Sequence, residues 1–149
     1  MVYWRLHYHL VWTTWHRHSL IIEERARVIE QTVYGKAREL GVTIHQVGGI
    51  EDHIHVVASI PPVLSVATCV KHLKGASSRA ANVRASAGQV FRWQEGYGAL
   101  SLGERSLTTA VAYVRHQPRH HRERTTLPLY ETTDGEGNRQ SSSDDCEQS

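Results

Sequence analysis

Two histidines flank one branched apolar residue in Asp52-His53-Ile54-His55-Val56-Val57. In a strand, alternate side chains share a face. Ile54, Val56 and Ala58 would then point one way, and His53 and His55 the other, with their Cα atoms roughly 6.5–7 Å apart. Two imidazoles at that spacing can converge on one cation, with Asp52 as a further ligand or as the group that orients an imidazole. They can equally be polar residues on a solvated strand face. Further along, Tyr113 and Gln117 are four residues apart, which puts them on one face of a helix. A tyrosine there can be a nucleophile whose phenoxide needs a nearby cation, and the amide oxygen one turn on can be a third ligand. An amphipathic boundary residue and a solvated helix position account for the same pair. The residues alone leave both readings open.

These side chains need elements to hold them. Tyr3 to Thr14 is dense in aromatic and β-branched residues and reads as a strand. Ile22, Ala26, Ile29, Val33, Ala37 and Leu40 fall at steps of three and four, predicting a first helix that stops at Gly41. Val42 to Val47 is a short strand, Gly48-Gly49 a turn or bulge, and Ile50 to Ile60 a second strand ended by Pro61-Pro62. Ser65 is placed to cap a second helix with the face Val66, Cys69, Val70 and Leu73. Val90 to Trp93 and Ala99 to Leu102 read as strands around Gln94 to Gly98. Ser106 can cap a third helix, with the face Leu107, Ala110, Val111 and Val114, which Pro118 should kink or end. The order β-α-β-β-α-β-(β)-α predicts an α+β fold with a mostly antiparallel sheet and packed helices.

The 149 residues suit one domain. Residues 131–149 hold six acids and one base (−5), leaving 16 bases and nine acids (+7) over residues 1–130. That contrast predicts a folded domain over 1–130 and an acidic, disordered tail over 131–149. The basic body suits a polyanion such as nucleic acid. Two cysteines, Cys69 and Cys146, form neither a disulfide framework nor a zinc site, and point to a reducing cytoplasm. No apolar run approaches the ~20 residues of a membrane helix, and the N-terminus does not read as a signal peptide.

Assembled in order, these pieces resemble the HUH-type single-tyrosine transposases: the single-strand transposases of insertion sequences and the REP-associated tyrosine transposases. The resemblance rests on His9-Leu10-Val11-Trp12-Thr13-Thr14, Asp52 to Val57, Ile60-Pro61-Pro62, Ser65-Val66, Leu73-Lys74-Gly75 and Ser77-Ser78-Arg79. It continues through Trp93 to Ser101, then Tyr113-Val114 with Gln117, and His120-His121. It implies an RRM-like or ferredoxin-like antiparallel sheet with the catalytic tyrosine on the C-terminal helix. It implies His53, His55 and Gln117 as protein ligands of a divalent ion, Mg²⁺ or Mn²⁺. Tyr113 would attack a DNA phosphodiester and retain the 5′-phosphate. His120 or His121 as additional ligands is not favoured.

The implied substrate is single-stranded DNA with hairpins near an element's ends, met by a basic groove and aromatic stacking. Arg17, Lys71, Lys74, Arg79 and Arg92 are the candidate DNA contacts, with Trp15 and Trp93 as stacking surfaces. For Trp12 and Trp93, core packing is the competing role. Insertion-sequence members imply a homodimer that exchanges tyrosine helices, and REP-associated members a monomer. A host-serving enzyme with the same chemistry, or a non-catalytic single-strand-binding module, would share much of this sequence. Pro118, directly after Gln117, is a departure that bears on how that amide is held.

Overall fold

The computed structural model of the chain describes residues 2–83 and 89–133. Four strands, β1 (His7–Thr13), β2 (Thr43–Ile50), β3 (His53–Ser59) and β4 (Gly98–Leu102), form one antiparallel sheet in the order β2-β3-β1-β4. Helices α1 (Glu23–Glu39) and α2 (Val66–Val83) join β1 to β2 and β3 to β4. Each crossover skips one place in the sheet, which gives the ferredoxin-like arrangement expected from the sequence.

Alternation along β1 and β3 divides the sheet into two unlike faces. Leu10 and Trp12 of β1 and Ile54, Val56 and Ala58 of β3 meet Ile29 and Val33 of α1 and Cys69 and Leu73 of α2 in the larger core. Burying such a side chain fully contributes about 1.5–3 kcal/mol, so this face holds the domain together. Ser65 caps α2 as its position suggested: its hydroxyl oxygen accepts from the Thr68 N–H at 3.0 Å.

The second face would be open in a bare βαββαβ sheet. Here three further helices cover it: α3 (Glu104–Arg115), α4 (Gln117–Glu123) and α5 (Pro128–Glu131). Val57 of β3 and Leu102 of β4 pack under Ala110, Tyr113 and Val114 of α3. All seven residues of β3 are therefore buried, although an antiparallel strand with one solvated face would alternate.

Several sequence boundaries move. β1 begins at His7 rather than Tyr3. Gly48 and Gly49 lie inside β2, opposite His55 and Ile54, and the reversal falls on Glu51-Asp52 instead. Gly48 is there for space: a Cβ would sit 2.3 Å from the carbonyl oxygen of Val114. Val90 to Trp93 is no strand, since among the described residues only Trp93 bridges to β1, through Thr14. The N-cap of α3 is Gly103, three residues before Ser106. The helix carrying Tyr113 ends at Arg115, and Gln117-Pro118 opens α4 in its first turn, where proline's missing N–H is not needed.

Candidate metal centre and nucleophile

His53 and His55 leave β3 on the covered face, as alternation predicts, and are 1% and 0% exposed. Each imidazole has its Nδ1 engaged from behind. Asp52 Oδ1 lies 2.6 Å from His53 Nδ1, in the orienting role considered for it. His9 Nε2, from β1, lies 2.8 Å from His55 Nδ1. Burial, followed by the neighbouring His55, pushes His9 down to about 3, and burial also lowers His55. Both rings are therefore neutral near pH 7. With the Nδ1 atoms so occupied, both Nε2 atoms point into the space beneath α3–α5.

Three oxygen-bearing side chains meet them there. Gln117 is 0% exposed. Its Oε1 lies 3.2 Å from His53 Nε2 and 3.0 Å from His121 Nε2. Its amide nitrogen donates to Glu131 Oε1 at 3.2 Å, which fixes the oxygen toward the histidines. Glu131 Oε2 lies 3.2 Å from His55 Nε2 and 3.4 Å from His53 Nε2. The Tyr113 hydroxyl donates to Glu131 Oε1 at 2.6 Å and accepts from the Leu127 N–H at 3.0 Å. The Tyr113 ring stacks on His120, with centroids 4.5 Å apart.

Burial, then the bond to the carboxylate, pushes the Tyr113 phenol up to about 12. Burial alone would raise Glu131. The close approach of His55 and the hydrogen bond from Tyr113 outweigh it and hold this carboxyl well below the usual range.

The donor set fits a divalent cation. His55 Nε2 is buried with no hydrogen-bond partner, the carboxylate oxygen 3.2 Å away lying outside hydrogen-bonding direction. If His53 donates through Nδ1 to Asp52, its Nε2 lone pair faces the Gln117 carbonyl oxygen, and two acceptors confront each other. A cation between them resolves both anomalies. His53, His55 and Glu131 present ligand atoms all within 4.8 Å of one another. The 3.2–3.4 Å separations fall between the roughly 3.0 Å of octahedral and roughly 3.4 Å of tetrahedral neighbours at metal bonds of about 2.1 Å.

A model of the IS200-like transposases matches residues 2–117, a span from β1 through Gln117. The chain belongs to the IS200-like transposase family. Among relatives of this family, the ISDra2 transposase TnpA of Deinococcus radiodurans is 32% identical over 76 residues, covering 51% of this chain and 54% of that protein. The IS200 transposase of Salmonella typhimurium is 31% identical over 75 residues, 50% of this chain and 49% of that one. The aligned stretches thus span about half the length of these relatives. Two solved structures share the fold. A candidate transposase from Deinococcus radiodurans has a TM-score of 0.61 at 24% identity, over 77% of this chain and 93% of that one. A REP-associated tyrosine transposase bound to a REP hairpin has a TM-score of 0.62 at 12% identity, over 90% and 93%.

Within this IS200-like chain, the four central residues read from the sequence come together, and two more were missed. Glu131 falls in the stretch assigned to the acidic tail, yet it is half-buried against both histidines. The rest of that stretch, from residue 134, lies outside the described residues. His9 carries a signal that could have found it, since it sits on the same face of β1 as the positions opposite His53 and His55. His121, not favoured as a ligand, reaches Gln117 and approaches Glu131 Oε1 at 3.5 Å.

The basic candidates scatter. Arg17 is half-exposed beside Asp52, 3.9 Å away, and Arg92 is exposed nearby. Lys71 and Arg79 are exposed on α2, on the opposite side of the sheet from the histidines. Lys74 is committed internally: its ammonium donates to the carbonyls of Gln94 at 2.7 Å and Gly96 at 3.0 Å. Trp93 is core, its indole N–H donating to Ser77 Oγ at 3.0 Å. Among the described residues, no helix is long and apolar enough to cross a membrane.

Proposed function

We propose that this protein is a metal-dependent transposase of single-stranded DNA, cutting and rejoining strands at hairpin-bearing ends through a covalent phosphotyrosine on Tyr113. The observation that carries the reading is the convergence of His53, His55, Gln117 and the Tyr113 hydroxyl on the single carboxylate of Glu131. That carboxylate bridges a nucleophile and a set of metal donors, which is the place a scissile phosphate must take. His53, His55 and Gln117 would hold Mg²⁺ or Mn²⁺, with Glu131 as a fourth donor until DNA enters. The bound ion supplies a Lewis acid that neutralises charge on the phosphate.

The chain's own residues do the rest. Asp52 and His9 fix the two imidazoles by their Nδ1 atoms. The Leu127 N–H, aimed at the Tyr113 oxygen, favours the phenoxide. The Tyr113 oxygen forms a bond to phosphorus as the bond from phosphorus to the 3′-oxygen breaks. The phenol's proton is matched by the one taken up at the released 3′-hydroxyl, and the 5′-phosphate stays on the tyrosine. A 3′-hydroxyl attacking that phosphotyrosine reverses the exchange and rejoins a strand. No water is activated.

Tyr113 and both histidines belong to one chain and already meet, so one copy suffices to build the site, and a monomer is competent in this reading. The test combines the purified protein, a hairpin oligonucleotide with single-stranded flanks, and Mn²⁺. A covalent adduct on a denaturing gel is expected, absent from Tyr113→Phe and reduced at least a hundredfold in His53→Ala. An adduct that persists in Tyr113→Phe refutes the nucleophile. If Mn²⁺ shifts the melting temperature of the wild type and His53→Ala equally, the metal site is refuted and a non-catalytic binding module is favoured.

A further inference from the structure

The chain between β1 and α1 carries a second feature. Trp15 to Arg17 form a single 3₁₀ turn, and both His16 (φ 50°) and Arg17 (φ 54°) are in the left-handed region. Non-glycine residues rarely adopt it, and two in succession need surrounding structure to hold them. That structure is present. The Trp15 N–H donates to the Arg92 carbonyl at 2.9 Å, the His16 N–H to Gln94 Oε1 at 3.1 Å, and the His18 N–H to the Trp15 carbonyl at 3.0 Å. The turn is thus pinned to residues 92–94, whose Gln94 N–H donates in turn to the Thr13 carbonyl of β1 at 2.9 Å.

Held this way, the Trp15 indole stays half-exposed, and the guanidinium carbon of Arg92 stands 3.8 Å from its ring centroid. The pair forms one rim of a cavity of about 370 Å³, which His18, Leu20, Gln89 and Val90 complete. Its inner wall is fixed as well: Arg25 donates to the carbonyls of Leu20 at 3.2 Å and Gln89 at 2.5 Å. The lining holds an indole, a planar cation, an imidazole, an amide and two aliphatic side chains, and no acid. Flat π-faces with apolar edges and no negative charge suit a flat, uncharged ring attached to an anionic chain.

The cavity is also placed beside the metal site. Trp15 lies two residues, about 7 Å of extended chain, past Thr13, the register partner of His53. The Thr14 N–H donates to the Asp52 carbonyl at 2.8 Å, and Arg17 approaches the Asp52 carboxylate. A strand whose phosphate sat at His53 would have this opening within reach of its flanking nucleotides on that side.

We infer that the Trp15–Arg92 cavity is a nucleobase pocket, which takes one unstacked base of the single strand flanking the cleaved phosphate. The inference rests on the single-strand reading of the metal site, but its test does not pass through cleavage. Stacking one base on an aromatic side chain changes affinity by roughly fivefold to over a hundredfold.

The probes are two fluorescein-labelled oligomers of equal length and charge: oligothymidylate, and the same backbone made wholly of abasic residues. Anisotropy titrations with the full chain are run in EDTA. The wild type should prefer oligothymidylate by about tenfold or more. Trp15→Leu should lose most of that preference while binding the abasic oligomer as before, and Trp15→Phe should keep most of it. Circular dichroism confirms that both variants fold, and if Leu does not, Phe with Arg92→Ala carries the comparison. The inference is overturned if the wild type shows no preference, if Trp15→Leu keeps it, or if the variant weakens both oligomers equally. A Tyr113 adduct without the base preference would sink the pocket alone. A base preference without an adduct would sink the cleavage reading alone.

Discussion

Gly48→Ala tests how closely the covering layer is fitted to the sheet. Gly48 stands opposite His55 in the β2–β3 register. Its added methyl would lie 2.3 Å from the Val114 carbonyl oxygen and 3.2 Å from Val114 Cγ1. The oxygen belongs to helix backbone and cannot rotate aside, so α3 must lift by about 1 Å to reach the ordinary contact of 3.4 Å. Tyr113 is the adjacent residue and moves with it. Strain of this kind costs about 1–3 kcal/mol, which lowers the melting temperature of a domain this size by roughly 2–12 °C. A displacement near 1 Å at a nucleophile can cost on the order of 100-fold in rate. The assays are thermal melting by circular dichroism and adduct formation under single-turnover conditions. Gly35→Ala is the control: nothing lies within 4 Å of that Cβ, in the middle of α1. It should stabilise by about 0.5–1 kcal/mol and leave the adduct rate unchanged. If Gly48→Ala melts like the wild type and forms adduct at the same rate, the close fit of α3 on β2 is not what positions Tyr113.

Three further outcomes follow from other contacts. Glu104, at the start of α3, is held down to about 2 by hydrogen bonds from Arg5 and His7. Its stabilising contribution is full above the ordinary value of 4.5 and fades as pH falls toward 2. Glu104→Gln should therefore be less stable than wild type at pH 7, with the gap closing in acid; a constant gap in urea titrations across that range contradicts the pairing. Burial pushes the Cys69 thiol up to about 11, so iodoacetamide at pH 8 should label it only in denaturant, as peptide mass spectrometry can show. Lys74→Met should destabilise by about 1.5–3 kcal/mol by releasing the Gln94 and Gly96 carbonyls, and should not change affinity for single-stranded DNA in anisotropy titrations. Unchanged stability with weakened DNA binding would return Lys74 to the role its charge suggested.

Local rules carried much of this site, and their failures have particular causes. Strand alternation placed His53 and His55 on one face because β3 is regular throughout. Helical spacing paired Tyr113 with Gln117, but for a reason only partly right: the chain turns at His116, and the two residues meet from successive helices. Pro118, a concern within one helix, is harmless at the start of the next. Gly48-Gly49 read as a turn because glycine punctuates loops more often than it makes room for a helix crossing a strand. Lys74 read as a DNA contact because a lysine's partner carbonyls, here twenty residues on, leave no mark in composition. Glu131 was hidden most thoroughly. It begins an acidic stretch, and only the tertiary folding of α5 over the sheet sets it against the histidines.

The two faces of the sheet have a kinetic consequence. The histidines stand on a central strand whose amides are locked between two neighbours and backed by the main core, so they should exchange with solvent only when the whole domain opens. Tyr113, Gln117 and Glu131 stand on the covering layer, whose own apolar cluster is small and whose last two helices span seven and four residues. Such a layer can open far below the cost of global unfolding. Hydrogen exchange should therefore divide this site in two, a slow half that holds the proposed metal donors and a fast half that carries the proposed nucleophile. The proposed catalysis would then be switched by a local opening that leaves the sheet, and the two histidines on it, as they were.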